Sequence, residues 1–478
     1  MGERRGECLP QWWTLQGIVP ASLGRGLFPP GSWRRYSMDK KKAEGLYIKV
    51  RPGSRALYHR ACQVMAGGIS HNLRRVRPFP FYVQRARGPY LYDVDGNRYL
   101  DFWMGHYAHI LGHAFPPVAQ AVSDLGSGRG YHFGLVHREE VELAERVVDL
   151  VPCAESVRFC TSGTEAGMYA LRLARAYTGR SKVVKVMGGW HGASTDLTFY
   201  IYPPFSGADS EGLPVGMEDQ VIPAPFNDLE GTIEAMERAG DQLAALIVEP
   251  VIGAGGCVPP KEGYLEGVKE ELDKRGALLI FDEVITGFRL ALGGAQEYFG
   301  VTPHLVTLGK ILGGGFPLGA VAGPREILSL ADATGGTPKV LIGGGTFSCH
   351  SVSMVAGLKV LEYLVDNASW LYPLLEERGK RVRSVLEDIF LAHGVRCQVT
   401  GVASLFMVHF PMGEVDPQDP AALALVQDKE KEILFQLLLM NRGVFVMHGG
   451  GAVSLAHTDE VLDHYFQAVS MAVEEMEP

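Results

Sequence analysis

Five apolar runs have the length of strands: Val157–Cys160, Lys182–Met187, Leu243–Val248, Ala277–Phe281 and Leu305–Gly309. Between them apolar residues return at helical spacing, as in Ala166, Tyr169, Ala170, Leu173, Ala176 and Tyr177. Short β-rich runs alternating with helical periods predict a mainly parallel sheet with helices on both faces, an α/β fold. Nearer the C-terminus, helical periodicity covers 352–366 and 372–392, and a β-rich run follows over 404–410, as expected of a smaller α/β domain. The pattern divides the chain into an N-terminal segment (38–95) folding over the site, a large domain (96–345) and a small C-terminal domain (346–478). Residues 1–37 have no hydrophobic period and read as a disordered extension, with Met38 as an alternative start.

Ligands of such sheets bind at the carboxyl ends of the strands, so the residues that close each run carry the functional information. After Cys160 come Thr161-Ser162-Gly163-Thr164-Glu165, where Ser162 and Glu165 fit a capping box and Gly179 stops the helix. Free N–H groups and hydroxyls at that helix start suit a phosphate, and an ordinary capped helix is the alternative. After Met187 come Gly188-Gly189-Trp190-His191-Gly192, an aromatic between glycines that either stacks on a flat ligand or plugs the core. Val248 is followed by Glu249, and Phe281 by Asp282. An acid directly after a buried apolar run requires a partner: a protonated ring nitrogen, or an arginine such as Arg289. The last run ends at Gly309-Lys310 before flexible Gly313-Gly314-Gly315, a setting for a Schiff-base lysine. Anion cradle, aromatic, glutamate, aspartate and lysine at one sheet edge are the parts that hold pyridoxal 5'-phosphate.

These segments resemble the class III, fold-type I aminotransferases, in the branch that contains glutamate-1-semialdehyde 2,1-aminomutase. The resemblance spans about residues 50–470. It is sharpest in Phe281-Asp282-Glu283-Val284-Ile285-Thr286-Gly287-Phe288-Arg289 and Thr307-Leu308-Gly309-Lys310, with Thr161–Ala166, Trp190-His191-Gly192, Val248-Glu249-Pro250 and Asp93–Asn97 in order. It implies a Schiff base at Lys310 and a pyridine-nitrogen contact at Asp282. Val284 and Trp190 would cover the two ring faces, Ser162, Gly163 and Thr164 the phosphate, with His191 and Glu249 close by. Thr346, in Gly345-Thr346-Phe347-Ser348, would reach the phosphate of a neighbouring subunit, which makes a homodimer with shared sites the expected assembly.

Lys310, once displaced by the incoming amine, becomes a free base beside the reacting carbon, and the acid at Asp282 keeps the ring nitrogen protonated. Arg74, in Gly67-Gly68-Ile69-Ser70-His71-Asn72-Leu73-Arg74, takes the position of the mutase arginine that holds the substrate carboxylate; Arg75 and Arg77 compete for that role. Two segments depart from the mutase. Cys349-His350-Ser351 replaces Gly-Asn-Pro, and Val446–Ala452 replaces a stretch that carries polar active-site residues. The expected activity is therefore amino-group transfer between an α-, β- or ω-amino acid and a 2-oxo acid. Aminomutase and racemase activities are the alternatives, and a silent cofactor-binding protein is the non-enzymatic one.

Composition changes little in this picture. A net charge of −9 excludes a basic nucleic-acid or membrane surface, and no apolar stretch approaches a membrane span. Seven scattered cysteines without a Cys-x-x-Cys pair point to reduced thiols in the cytoplasm. His109 and His113 have i,i+4 spacing but no acid completes a metal set, so no metal is expected. Gly309-Lys310 lacks the spacing of a P-loop.

Overall fold

The computed structural model describes residues 39–476; the extension expected over residues 1–37 lies outside them. Seven strands make the central sheet: β1 (Ser156–Cys160), β2 (Lys182–Val186), β3 (Val221–Ala224), β4 (Leu243–Val248), β5 (Leu278–Asp282), β6 (Leu305–Gly309) and β7 (Gly319–Gly323). They lie in the order β1-β7-β6-β5-β4-β2-β3. β7 is antiparallel to both of its neighbours, and every other neighbouring pair is parallel. All residues of β4, β5 and β6 are buried, because helices cover both faces of a mainly parallel sheet and leave no polar side. Alternate residues divide between the layers. Ala245, Ile247, Ile280 and Val321 pack with helix α1 (Gly163–Thr178), while Leu246, Val248, Leu279 and Phe281 face the other layer.

The carboxyl ends of β1, β2, β4, β5 and β6 share one edge, so the residues read from the sequence as strand ends share it too. Around this sheet, strands 83–87, 90–93, 98–101 and 444–445 form a second sheet, in which Val444–Phe445 runs parallel to Leu100–Asp101. A third sheet joins Gln398–Thr400, Leu405–His409 and Gly450–Ala452. The strand at 405–409 is the β-rich run expected there.

One element differs from its sequence pattern. The two helical periods over 352–366 and 372–392 form a single helix, α2 (Ser351–Ala392), 42 residues long with Pro373 inside it. Leu364, Leu371 and Leu375 continue one buried stripe through the expected break. Pro373 and Ser369, whose carbonyl loses its donor, are exposed, so water satisfies what the proline leaves open.

Candidate active site

Helix α1 begins where β1 ends. The Ser162 hydroxyl caps it by accepting from the Glu165 N–H at 3.2 Å, and Gly179 closes it with φ 69°. The capping box of the sequence is displaced by one residue. The Glu165 carboxylate takes the Thr161 N–H (2.7 Å) and the Thr161 hydroxyl instead of the Ser162 N–H. The first N–H groups of the helix, those of Gly163 and Thr164, have no partner one turn back and face the sheet edge with a positive dipole end. A Cβ on Gly163 would stand 3.1 Å from Val284, and one on Gly192 2.6 Å from the Thr164 backbone; the latter position also has φ +89°. Glycine at these two positions keeps backbone close around a cradle.

Asp282 closes β5 and is buried. One of its carboxylate oxygens accepts from the Val284 N–H at 3.1 Å and the other from His191 Nδ1 at 2.8 Å. That contact fixes the proton of a neutral His191 on Nδ1. Burial holds the His191 pKa below its ordinary value, against the pull of Asp282, and its Nε2 has no partner among the described residues. Arg289, the alternative partner for Asp282, is engaged elsewhere. Its guanidinium donates to the Tyr107 carbonyl and, at 3.3 Å, to Ser404 Oγ. Asp282 thus keeps acceptor capacity and, among the described residues, has no arginine or lysine ion pair.

Glu249 follows β4 directly and accepts the Trp190 N–H (2.8 Å) and the Gly253 N–H (3.1 Å). Burial and the neighbouring Asp282 raise its pKa, and the two N–H donors oppose that rise. Trp190 itself is half-buried, so it is not a sealed core plug. Its loop is pinned by Lys185, a fully buried lysine whose Nζ donates to the Gly189 carbonyl at 2.8 Å. A lysine amid the apolar Lys182–Met187 run was the sequence signal for this strut.

Lys310 follows β6 and has φ 47°, a left-handed conformation that non-glycine residues adopt rarely and mostly at functional sites. Burial lowers its pKa; Asp282 and Glu249 oppose this and Arg289 adds to it. An amine that gives up its proton more readily is a better nucleophile and base. Arg74 lies in a short turn, Asn72–Arg74, and is exposed. His71 and His106, which the sequence did not mark as a pair, have ring centroids 5.0 Å apart. Thr346 is exposed, on a turn tied to α1 through the Gly344 N–H and the Tyr169 hydroxyl (3.1 Å). It makes no hydrogen bond to residues 162–164 of its own chain. His113 pairs with Asp101 (2.7 Å) and His109 packs on His113 at 4.7 Å. Among the described residues no group of three or more histidines, cysteines and acids comes together.

The residues present fit a flat phosphorylated pyridine. They supply a helix start for the phosphate, a valine and an aromatic for the ring faces, a buried carboxylate with spare capacity, and a strained lysine with a lowered pKa. Fold and site together define a fold-type I enzyme that depends on pyridoxal 5'-phosphate. The chain belongs to the class-III aminotransferases, whose family pattern it matches over residues 72–415. It is 42% identical to a glutamate-1-semialdehyde 2,1-aminomutase of Methanopyrus kandleri over 434 residues, 89% of this chain and 98% of that one. An ω-transaminase from Sphaerobacter thermophilus superposes with a TM-score of 0.83 at 34% identity, covering 90% of this chain and 99% of its own. A transaminase with pyridoxal phosphate bound gives 0.81 at 31% identity over 89% and 97%.

Proposed function

We propose that the protein is an aminotransferase that moves an amino group from a carboxylate-bearing amino acid to a 2-oxo acid. The bound cofactor supplies an electron sink conjugated to the amino-bearing carbon. Ser162, Gly163 and Thr164 would hold its phosphate, Val284 and Trp190 its ring, and Asp282, oriented by His191, would keep a proton on its ring nitrogen. Glu249 keeps the Trp190 loop in place through the Trp190 and Gly253 N–H groups. Lys310 would be the covalent anchor, and its free amine would serve as the base that moves a proton at the substrate carbon. Arg74 receives the substrate carboxylate. Thr346 completes the site of a second copy in a homodimer, a role its exposed turn permits. The six described cysteines are free, which fits a reducing cytoplasm.

The observation that carries transfer between molecules over rearrangement within one is the C-terminal hairpin. In the segment that carries polar active-site residues in the mutase, Met447 and Gly450 exchange both backbone hydrogen bonds around a two-residue turn, His448-Gly449. His448 turns to Glu432 (3.1 Å), and Gly450 and Gly451 sit too close to the Phe406 and Phe102 backbone to bear side chains. The hairpin therefore offers the substrate no polar side chain with which to retain an intermediate. The second reading, a glutamate-1-semialdehyde 2,1-aminomutase, has the 42% identical relative in its favour. Turnover with and without an added 2-oxo acid separates them: an aminotransferase stops after one equivalent without acceptor, whereas a mutase keeps running.

A further inference from the structure

His71 and His106 form a polar corner on which the charge of Lys310 acts. His71 precedes the turn that carries Arg74, and its Nδ1 accepts the Leu73 N–H at 3.2 Å. In a neutral ring this places the proton on Nε2, leaving Nε2–H as a free donor. His106 faces it with ring centroids 5.0 Å apart and is backed by Trp103 at 4.6 Å. His106 reaches this position through a left-handed backbone, φ 59°, next to Gly105 at φ 62°. The His106 nitrogens and the Arg74 guanidinium have no hydrogen-bond partner among the described residues. The corner is also electrostatically one-sided. Burial, then Arg74 and Lys310, depress the His71 pKa. Burial, His71, Arg74 and Lys310 take that of His106 down to about 4. The charged side chains that act on the two rings, Arg74 and Lys310, are both cations, a setting that favours an anion beside them.

We infer that His71 and His106 join Arg74 in a three-part anion corner that fixes the substrate carboxylate, with His71 Nε2–H as the second donor. This rests on the proposed reading of Arg74 and adds the two imidazoles as specificity-determining residues. Guanidinium gives charge, and the two neutral rings give directed donors that a surface arginine alone lacks. Such a corner selects amines that bear a carboxylate and rejects those that do not, because an uncharged group leaves the guanidinium without its counter-ion.

Binding measured apart from turnover tests this. The cofactor-loaded full-length enzyme is titrated with pentanoate and, separately, with uncharged pentanamide, and dissociation constants are read from the absorbance of the bound cofactor. His71→Asn keeps an acceptor for the Leu73 N–H but loses the Nε2–H donor; His106→Phe keeps the ring against Trp103 but loses its nitrogens. Each variant is expected to weaken pentanoate about ten-fold or more and to change pentanamide by less than about two-fold. Unchanged pentanoate affinity in both variants, or an equal loss for pentanamide, overturns the inference. Because no catalytic step is read, an enzyme that ran without a 2-oxo acid would sink the proposed function and leave this result standing.

Discussion

In the proposed reaction Lys310 and Asp282 carry the chemistry at the scale of single residues, and they differ in what their loss does. Lys310→Ala removes both the covalent anchor and the proton carrier, so kcat is expected to fall at least about 10³-fold. The phosphate cradle and Asp282 are untouched, so the purified variant should still retain cofactor, measurable by absorbance after gel filtration. Asp282→Asn keeps the shape but not the charge. His191 then loses its ionised acceptor and the ring nitrogen its counter-ion, and kcat is expected to drop on the order of 10²-fold with cofactor affinity also lowered. Near-full activity in either variant contradicts these assignments. Their positions at strand ends were legible in the sequence, because each follows a buried apolar run, where a charge requires a reason. The His71–His106 pair was not legible, since 35 positions separate the rings along the chain and only the fold closes that distance.

Among the elements, the strands announce themselves and the loops between them do not. β4, β5 and β6 are buried on both faces and so read as continuous apolar runs. The displaced capping box and the single helix α2 escaped the sequence pattern. Each depends on a contact chosen in three dimensions: Glu165 with Thr161, and the buried Leu371 and Leu375 spanning Pro373. The Trp190–Gly192 loop gives the test proper to this scale. Gly192→Ala forces a Cβ to within 2.6 Å of the Thr164 backbone at φ +89°. The expected cost is about 1–3 kcal/mol, together with a loosened phosphate cradle. Thermal unfolding should show a lower Tm, and the cofactor dissociation constant should rise. An unchanged Tm and unchanged cofactor affinity would show that this loop does not press on the cradle.

The whole molecule joins its N- and C-terminal parts through shared sheets, and no helix among the described residues is long and apolar enough to cross a membrane. Its pH stability follows from buried histidines. Burial holds His457 down to about 3 and His409 down to about 4, while both titrate near 6.5 in an unfolded chain. Neutral in the fold, they contribute stability that is fully present above pH 6.5 and is lost as pH falls from there towards 4 and 3. Glu432, held down to about 2 against its burial by His448 and Lys429, adds a further loss below about pH 4.5. Urea midpoints should therefore fall from pH 7 to pH 5, the buried histidines outweighing Glu249, whose pKa, raised to about 7, acts the other way; a flat profile over that range contradicts this balance. The gathering of the proposed cofactor residues was readable at this scale because one sheet edge brings five strand ends together. The reaction was less readable, since the segments proposed to choose the substrate, 71–74, 106 and 446–452, follow no shared period. The most direct measurement of the central claim gives the loaded enzyme a ¹⁵N-labelled amino acid and an unlabelled 2-oxo acid, then locates the label by mass spectrometry. Transfer between molecules places the label in the amino acid formed from the oxo acid; label that merely changes carbon within the original skeleton would contradict it.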